Sequence, residues 1–377
     1  MKKSGIILGI IVIVALAIIF GITQTKKEPG EIKIGAILPL TGDNASYGIA
    51  LKKGMDLAIG EINAKGAKGI DNQKLTVVFE DSQGDPQKAV SALNKLIAVD
   101  KVPMVIGDMF SAGTLAIAPI AEKKKTVLLS PTASAVELTN AGDYIFRIYP
   151  SDSYDGMYLA NFTRNKLKVN SVSIIYLQVA SISAVTEVFK KEFESSGGKV
   201  LSMDSYKEGD ADFRSQLIKA KEVNADFVFI PGYLKEMATL LRQAKEIGVN
   251  TRFLSISTFY DPKIFELAGN AAEGVLFSVP SFDVRSEAPE IKNFVSKYKA
   301  KYGNEPDILG GYGYDAVNIA EIALQKGNIS PDNIKKALYA IKNFPGVTGL
   351  TSFDSNGDVL KELKIMQVQD GKFVPFE

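Results

Sequence analysis

The stretch VPMVIGDMFSAGTLAIAPIAEKKKTVLLSPTASAVELT, residues 102–139, contains two apolar runs, each followed directly by a turn of small residues. The first run ends at Ile106, before glycine, serine and threonine, and the second ends at Leu129, before two serines and a threonine. Such turns commonly start helices, so each run is predicted to be a buried strand that leads through a loop into a helical segment. Two consecutive units of this kind favour an α/β fold with a parallel sheet.

The same alternation of short apolar runs and helical periods continues on both sides of this stretch. The predicted strands are Ile32–Leu38, Leu75–Glu80, Val102–Ile106, Thr126–Leu129, Val172–Tyr176, Val200–Tyr206, Phe227–Ile230 and Arg252–Ile256. The predicted helices include Ile49–Ile62, Pro86–Val99, Leu234–Ile247 and Ala316–Leu324, and their apolar stripes are interpreted as core-facing. The pattern restarts near Arg147–Gly156, which predicts two lobes of similar build. Near the end, Asn356-Gly357 predicts a two-residue β-hairpin.

The N-terminal segment differs from the rest of the chain. Gly5–Ile22 is apolar throughout and, at roughly 18 residues, is just long enough to span a bilayer as a helix. The residues after it contain neither a cysteine nor a convincing small-residue cleavage site. We therefore expect residues 1–30 to form an N-terminal transmembrane helix and a short tether that hold the remainder of the chain outside the cell. A cleaved export signal is the alternative.

Composition excludes several classes of function. The 377 residues carry 44 lysines and arginines against 43 aspartates and glutamates, so the net charge of +1 gives no bias towards nucleic acid. The chain has neither cysteine nor histidine, which excludes disulfides, thiolate nucleophiles, histidine-dependent triads and the commonest transition-metal sites. We expect no nucleic-acid partner, no metal and no cofactor.

The two turns of the opening stretch are candidate binding loops. In parallel α/β sheets, ligands collect at the carboxyl ends of the strands, where helix N-termini present free N–H groups. Hydroxyls there add donors without negative charge, which suits a carboxylate. Helix capping by Ser111 and Ser134 is the alternative explanation and remains open at this point.

Six segments, in order along the chain, resemble the leucine/isoleucine/valine-type solute-binding proteins of ABC importers. The resemblance runs from about Ile32 to the C-terminus, and the order of its motifs makes it specific. The segments are IKIGAILPLTGDNASYGIALKKGMDLAIGEINAKG, FEDSQGDPQKAV, VIGDMFSAGT, SPTASAVELT, ADFVFIPGYLKEMATLLRQAKEIG and FDSNGD.

The resemblance implies two Rossmann-like lobes that close over a small ligand and are joined by three crossover strands. Crossings are expected near Pro150, near Pro280 and just before Gly349. The first lobe would then comprise residues 31–150 plus 281–348, and the second lobe residues 151–280 plus 349–377.

The resemblance also implies roles for particular residues. The carboxylate-binding serine of the family matches Ser111, and the second binding loop matches Thr132, Ala133 and Ser134. Tyr47 matches an aromatic residue that flanks the ligand in the first lobe, and Tyr233 matches a ligand-contacting tyrosine of the second lobe.

Two positions depart from the family pattern. Ser257 stands where amino-acid binders carry the carboxylate that pairs with the ligand's ammonium group, and a second-lobe tyrosine is replaced near Ser181. Because a buried ammonium needs a negative partner, an α-amino acid, an amide and a small organic or aromatic acid all remain open as ligands. Asp108 and Asp261 are close in sequence to the predicted pocket and are candidates for the missing charge.

The function expected from this resemblance is that of an extracytoplasmic solute-binding protein. It would bind a small carboxylate-bearing solute, foremost a branched-chain or hydrophobic amino acid, between two closing lobes and deliver it to an ABC permease and ATPase. A ligand-sensing receptor domain is the alternative. A hydrolase that uses Ser111 or Ser130 is disfavoured, because neither serine lies in a G-x-S-x-G motif and no histidine is present to act as base.

Overall fold

The computed structural model describes residues 30–66, 70, 73–325, 329–361 and 363–376. Within these ranges no helix is both long and apolar enough to cross a bilayer. The predicted transmembrane segment Gly5–Ile22 lies outside the described residues.

The first sheet is parallel and contains five strands in the order β2-β1-β3-β4-β5. Its strands are β1 (Glu31–Leu38), β2 (Lys74–Asp81), β3 (Met104–Ile106), β4 (Val127–Ser130) and β5 (Ile145–Arg147). The helices between them are α1 (Ala45–Ala64), α2 (Pro86–Ala98) and α3 (Ser111–Lys124). The predicted start of α2 is confirmed, because the Asp85 side chain accepts hydrogen bonds from the backbone N–H groups of Gln87 and Lys88.

The second sheet contains seven strands in the order β15-β14-β10-β9-β8-β6-β7. The parallel part comprises β6 (Ser171–Leu177), β7 (Lys199–Tyr206), β8 (Phe227–Phe229), β9 (Arg252–Ser255) and β10 (Leu276–Pro280). The antiparallel edge comprises β14 (Leu363–Gln369) and β15 (Lys372–Pro375). The accompanying helices are α4 (Asp152–Asn161), α5 (Ala180–Ser195), α6 (Arg214–Glu222), α7 (Leu234–Glu246) and α8 (Lys263–Ala268).

The remaining elements follow β10. The helices are α9 (Pro289–Tyr302), α10 (Ile308–Leu324) and α11 (Pro331–Tyr339), and a small third sheet consists of β11 (Phe344–Gly346), β12 (Gly349–Phe353) and β13 (Val359–Leu360). Helix α10 packs against α1 in the core of the first sheet, to which Tyr312 and Phe353 belong.

The β12–β13 hairpin corrects two expectations. Its strands are joined by residues 354–358, so the hairpin signal at Asn356-Gly357 was right about the turn but wrong about a two-residue loop. The expected boundary just before Gly349 is also wrong. Phe353 packs in the first core, and Asp358 forms an ion pair with the buried Arg147 at 2.7 Å, so residues 349–360 lie with the first sheet rather than the second.

The chain passes between the two sheets three times in the described residues. It leaves the first sheet after β5, leaves the second sheet after β10, and returns to the second sheet between Leu360 and Leu363, where Leu363 pairs with Pro280. Each sheet has its own hydrophobic core. The carboxyl ends of the parallel strands of both sheets therefore lie on the two sides of one cleft.

Candidate functional site

A cavity of about 900 Å³ lies between the carboxyl ends of the two sheets. Its wall includes loop residues that follow β3, β4 and β5 of the first sheet and β6, β8, β9 and β10 of the second. Strand ends of this kind leave side chains and helix N-termini free to contact a ligand. The cavity is therefore the candidate ligand site.

Five of the seven residues predicted from the sequence line this cavity. Three lie on the side of the first sheet: Tyr47, Thr132 and Ser134. Tyr233 and Ser257 lie on the side of the second sheet. The two tyrosines are 49% and 39% exposed, so their rings are available for contact on opposite walls. Phe110 supports the first of them, with its ring centroid 6.3 Å from that of Tyr47.

Ser111 and Ala133 lie behind the cavity wall rather than in it. The Ser111 Oγ accepts hydrogen bonds from the backbone N–H groups of Ser134 and Ala135, each at 3.2 Å. Ala133 is only 1% exposed, and its own N–H donates to the Ser130 Oγ at 3.1 Å. In this structure the side chain of Ser111, in the first turn, thus holds the backbone of the second turn in position.

Ser130 has a structural role. It is fully buried, and its hydroxyl donates to the backbone oxygen of Asp108 at 2.7 Å. Thr132 makes the parallel contact in the same loop, donating to the backbone oxygen of Met109 at 2.7 Å. These bonds fix the two loops to each other, which explains the small hydroxyl residues at the end of β4 and directly after it.

The two carboxylates expected to compensate for Ser257 do not contribute to the cavity wall. Asp108 is fully buried, and burial raises its pKa to about 6. Its Oδ1 accepts from the N–H of Met109 within its own loop. Asp261 accepts from the N–H of Lys263 and thereby caps α8. The sequence expectation for these residues was wrong.

Asp283 and Asp307 line the cavity, and so do Asp152 and Asp155, which lie in the first turn of α4. In the sequence, this region is marked only by the restart of the strand–helix pattern, and Ser151 caps the helix by accepting from the N–H of Ser153 at 3.3 Å. Acidic residues are common in the first turn of a helix, because they complement its dipole. Their position in the cavity wall therefore had no separate signal in the sequence.

Ser257 is engaged with a tyrosine across the cleft. Its side chain is hydrogen-bonded to the hydroxyl of Tyr149, which lies in the first crossing. Burial is the main cause that raises the pKa of Tyr149 to about 12, so the phenol remains neutral at physiological pH. This pair contributes hydrogen bonds but no charge where the cavity meets β9.

The cavity wall carries both polar and apolar side chains, which suits a small molecule that has polar and apolar groups. Its apolar lining includes Ile182, Val185, Ile256 and Val279. Among the described residues, no group of three or more acidic, histidine or cysteine side chains is arranged to hold a metal ion.

Comparison with known proteins agrees with this architecture. The chain is 31% identical over 344 residues to the leucine-, isoleucine-, valine-, threonine- and alanine-binding protein of Pseudomonas aeruginosa, covering 90% of each chain. It is 29% identical over 331 residues to the Leu/Ile/Val-binding protein of Escherichia coli K12, covering 87% of this chain and 88% of the relative.

Among solved structures, a branched-chain amino acid transporter substrate-binding protein of Streptococcus pneumoniae in complex with isoleucine superposes with a TM-score of 0.74. It is 30% identical, and the match covers 91% of this chain and 97% of that one. The leucine-binding protein of Thermotoga maritima superposes with a TM-score of 0.73 at 29% identity, over 92% and 98% of the two chains.

The model of one family, described as periplasmic binding protein, matches residues 31–372. That range includes the first sheet, the second sheet except most of β15, all three crossings and every residue of the cavity wall. The protein therefore belongs to the periplasmic binding protein family, whose members bind solutes and are not enzymes.

Proposed function

We propose that this protein is the solute-binding protein of an ABC importer and that it takes an amino acid with a hydrophobic side chain. The observation that carries the proposal is the cavity between the two sheets, because side chains from both sheets line it. The names of the relatives from Pseudomonas aeruginosa and Escherichia coli, which bind leucine, isoleucine and valine, support the same ligand class.

The first wall suits a carboxylate. Thr132 and Ser134 bring hydroxyls to the cavity, and the N-terminus of α3 begins directly behind them at Ser111. The helix N-terminus supplies N–H donors, and no acidic residue lies in the first turn of α3. Ser111 holds this wall in place. We propose that its hydroxyl donates a hydrogen bond to the ligand when the cleft closes.

The second wall suits an apolar side chain. Ile182, Val185 and Val279 present aliphatic surface, while Tyr47 and Tyr233 flank the cavity from opposite sides. Apolar walls with a few placed polar groups are typical of small-molecule sites. Burial of a branched aliphatic side chain of the ligand would contribute about 1.5–3 kcal/mol.

Delivery requires two conformations. A ligand that contacts Ser134 on one side and Tyr233 on the other favours the closed arrangement of two lobes, and the permease would recognise that state.

The proposed lobes are residues 31–150 plus 281–361 and residues 151–280 plus 363–377. The proposed partners are the permease and ATPase subunits, and the proposed location is the outer face of the membrane, held there by Gly5–Ile22.

Ligand sensing is the alternative function, because a membrane partner that signals could read the same closed state. Reconstitution of the chain with a candidate permease and ATPase, followed by measurement of uptake, separates the two functions.

A thermal-shift screen of residues 31–377 tests the proposed ligand class. We expect leucine, isoleucine or valine to raise the melting temperature, because a molecule that binds only the native state stabilises it by mass action. Matched small acids and amides, including benzoate and acetamide, serve as comparison ligands. A shift with these and none with any amino acid would contradict the proposal.

A further inference from the structure

The first turn of α4 places two carboxylates on the cavity wall. Asp152 and Asp155 are three residues apart, so they share one face of the helix. The helix begins at the first crossing between the sheets, directly after Ser151. The pair is therefore located where a ligand held between the two sheets would be enclosed.

Asp152 is tied to the loop proposed to hold the ligand. Its backbone N–H donates to the backbone oxygen of Ser134 at 2.9 Å, and the hydroxyl of Ser134 is hydrogen-bonded to its carboxylate. The Oδ2 atom of Asp152 is buried and has no hydrogen-bond partner in the described structure. A buried carboxylate oxygen without a partner is costly, and the residue that carries it lines a cavity that a ligand can enter.

Asp155 connects the pair to the second sheet. Its Oδ1 accepts a hydrogen bond from the hydroxyl of Ser278 on β10 at 2.5 Å. Ser278 is itself fully buried and also lines the cavity. The two carboxylates thus lie between a loop of the first sheet and a strand of the second.

Among the described residues, the cationic side chains of Arg147 and Arg285 are paired with other groups. Arg147 donates from Nε and Nη2 to Asp358 and from Nη1 to the backbone oxygen of Ala135. Arg285 also lines the cavity, but its side chain is 79% exposed and pairs with Asp283 at 3.5 Å. The nearby Glu137 adds further negative charge.

We propose that Asp152, with Asp155 as a second negative group, binds the cationic nitrogen of the ligand and takes the role that Ser257 cannot fill. The inference deepens the proposed function and rests on it: the ligand carries an ammonium group as well as a carboxylate. The same carboxylates disfavour small organic acids without a nitrogen. The negative partner of the ligand thus comes from the crossing region rather than from the loop after β9.

The protonation of these groups predicts a pH dependence. Burial is the largest cause that raises the pKa of Asp152 to about 7, and the neighbouring Asp155 raises it further, whereas the hydroxyl of Ser134 and the charge of Arg147 lower it. Burial likewise raises the pKa of Asp155 to about 6, against the hydrogen bond from Ser278. An ammonium ion favours the ionised carboxylates, so affinity for an amino acid rises between about pH 5 and pH 8, and binding releases protons near neutral pH.

The first test compares two ligands that differ in the ammonium group, leucine and 4-methylpentanoate. Calorimetry at pH 7.5 is expected to show binding of leucine to the wild type and at least 10-fold weaker binding of 4-methylpentanoate. Asp152→Asn is expected to weaken leucine about 10- to 100-fold and to leave 4-methylpentanoate unchanged or tighter. Asp261→Asn is the matched control, an acid of the second sheet outside the cavity wall, and should match the wild type.

A second measurement needs no ligand. A carboxyl whose pKa is raised on folding destabilises the native state increasingly as the pH rises from about 4 to its folded pKa. The melting temperature of ligand-free Asp152→Asn should therefore exceed that of the wild type at pH 8 and match it near pH 4. A variant that fails to fold would show a lower melting temperature at both values.

The outcomes separate this inference from the proposed function. If no amino acid in the screen binds, the proposed function fails, and the inference fails with it. If leucine binds but Asp152→Asn keeps wild-type affinity and the wild-type preference over 4-methylpentanoate, only the inference is overturned. Equal wild-type affinity for the two ligands would also overturn it.

Discussion

Ser111 starts α3 and makes its contacts with the neighbouring loop rather than with the cavity. Its oxygen accepts from two backbone N–H groups, those of Ser134 and Ala135, at 3.2 Å. A hydroxyl that accepts in this way retains its own hydrogen to donate. The residue can therefore shape the binding loop and still donate to a ligand carboxylate when the cleft closes.

Substitution at Ser111 and at Tyr233 tests both walls. Ser111→Ala should weaken the best carboxylate-bearing ligand about 10-fold, because the loop loses its brace and the ligand loses a donor. Tyr233→Ala should weaken binding by a similar factor through lost apolar contact. Isothermal titration calorimetry measures both effects.

Ser91→Ala is the control for this pair, since Ser91 lies on α2 and its hydroxyl only donates to the backbone oxygen of Gln87. Wild-type affinity in both Ser111→Ala and Tyr233→Ala would mean that the ligand contacts a different part of the molecule.

At the scale of elements, glycines allow α1 and α10 to pack closely. A Cβ added at Gly54 would lie 1.9 Å from the backbone oxygen of Gly310, and one added at Gly313 would lie 2.1 Å from that of Leu51. Gly313, within the sequence GYGYDA of residues 311–316, is thus explained by helix packing. It lies inside α10, whose N-terminus is capped by Asp307.

Two alanine substitutions in α1 test this packing. Gly54→Ala should destabilise the protein by about 2–3 kcal/mol, because the backbones of two helices must separate to admit the methyl group. Gly60→Ala in the same helix meets no atom within 4 Å and should stabilise the protein by about 0.5–1 kcal/mol, as expected from helix propensity.

Urea denaturation of the two variants measures the difference. Equal stability of Gly54→Ala and Gly60→Ala would contradict the close approach of α1 and α10.

At the scale of the whole molecule, the cavity wall is divided between two separately packed halves. Each sheet has its own core, and three segments of chain connect them. Few connections and a shared cavity suit hinge closure, in which the ligand shifts the equilibrium towards the enclosed state by its contacts with both halves.

Small-angle X-ray scattering tests closure. Saturating leucine should decrease the radius of gyration of the wild type, because a ligand held by both walls favours the compact state. In Tyr233→Ala the decrease should require a higher leucine concentration. A solute that causes no thermal shift provides the control. An unchanged radius at saturation, established by calorimetry, would exclude closure as the response to the ligand.

Periodicity located most of the fold, including the three-residue strands β3 and β8, but it missed β5 and β10. The strands β1, β2 and β6 were predicted to within one residue at each end, since long apolar runs carry a clear signal. The strand β5 has three residues and ends in an arginine, so it lacks the longer apolar run that marks β3 and β8, and β10 ends in Pro280, a residue that normally argues against a strand. Tertiary pairing with β14 overrides that local preference.

The sequence by itself determined the α/β alternation, the two hydroxyl-rich loops and the family, because these depend on local patterns and on ordered motifs. Only the tertiary structure decided which side chains meet at the cavity. Asp152 and Asp155 are ordinary first-turn acids in the sequence, whereas Asp108 and Asp261 look equally suitable there. Burial, orientation and neighbouring charge distinguish them, and these properties arise only when distant segments pack together.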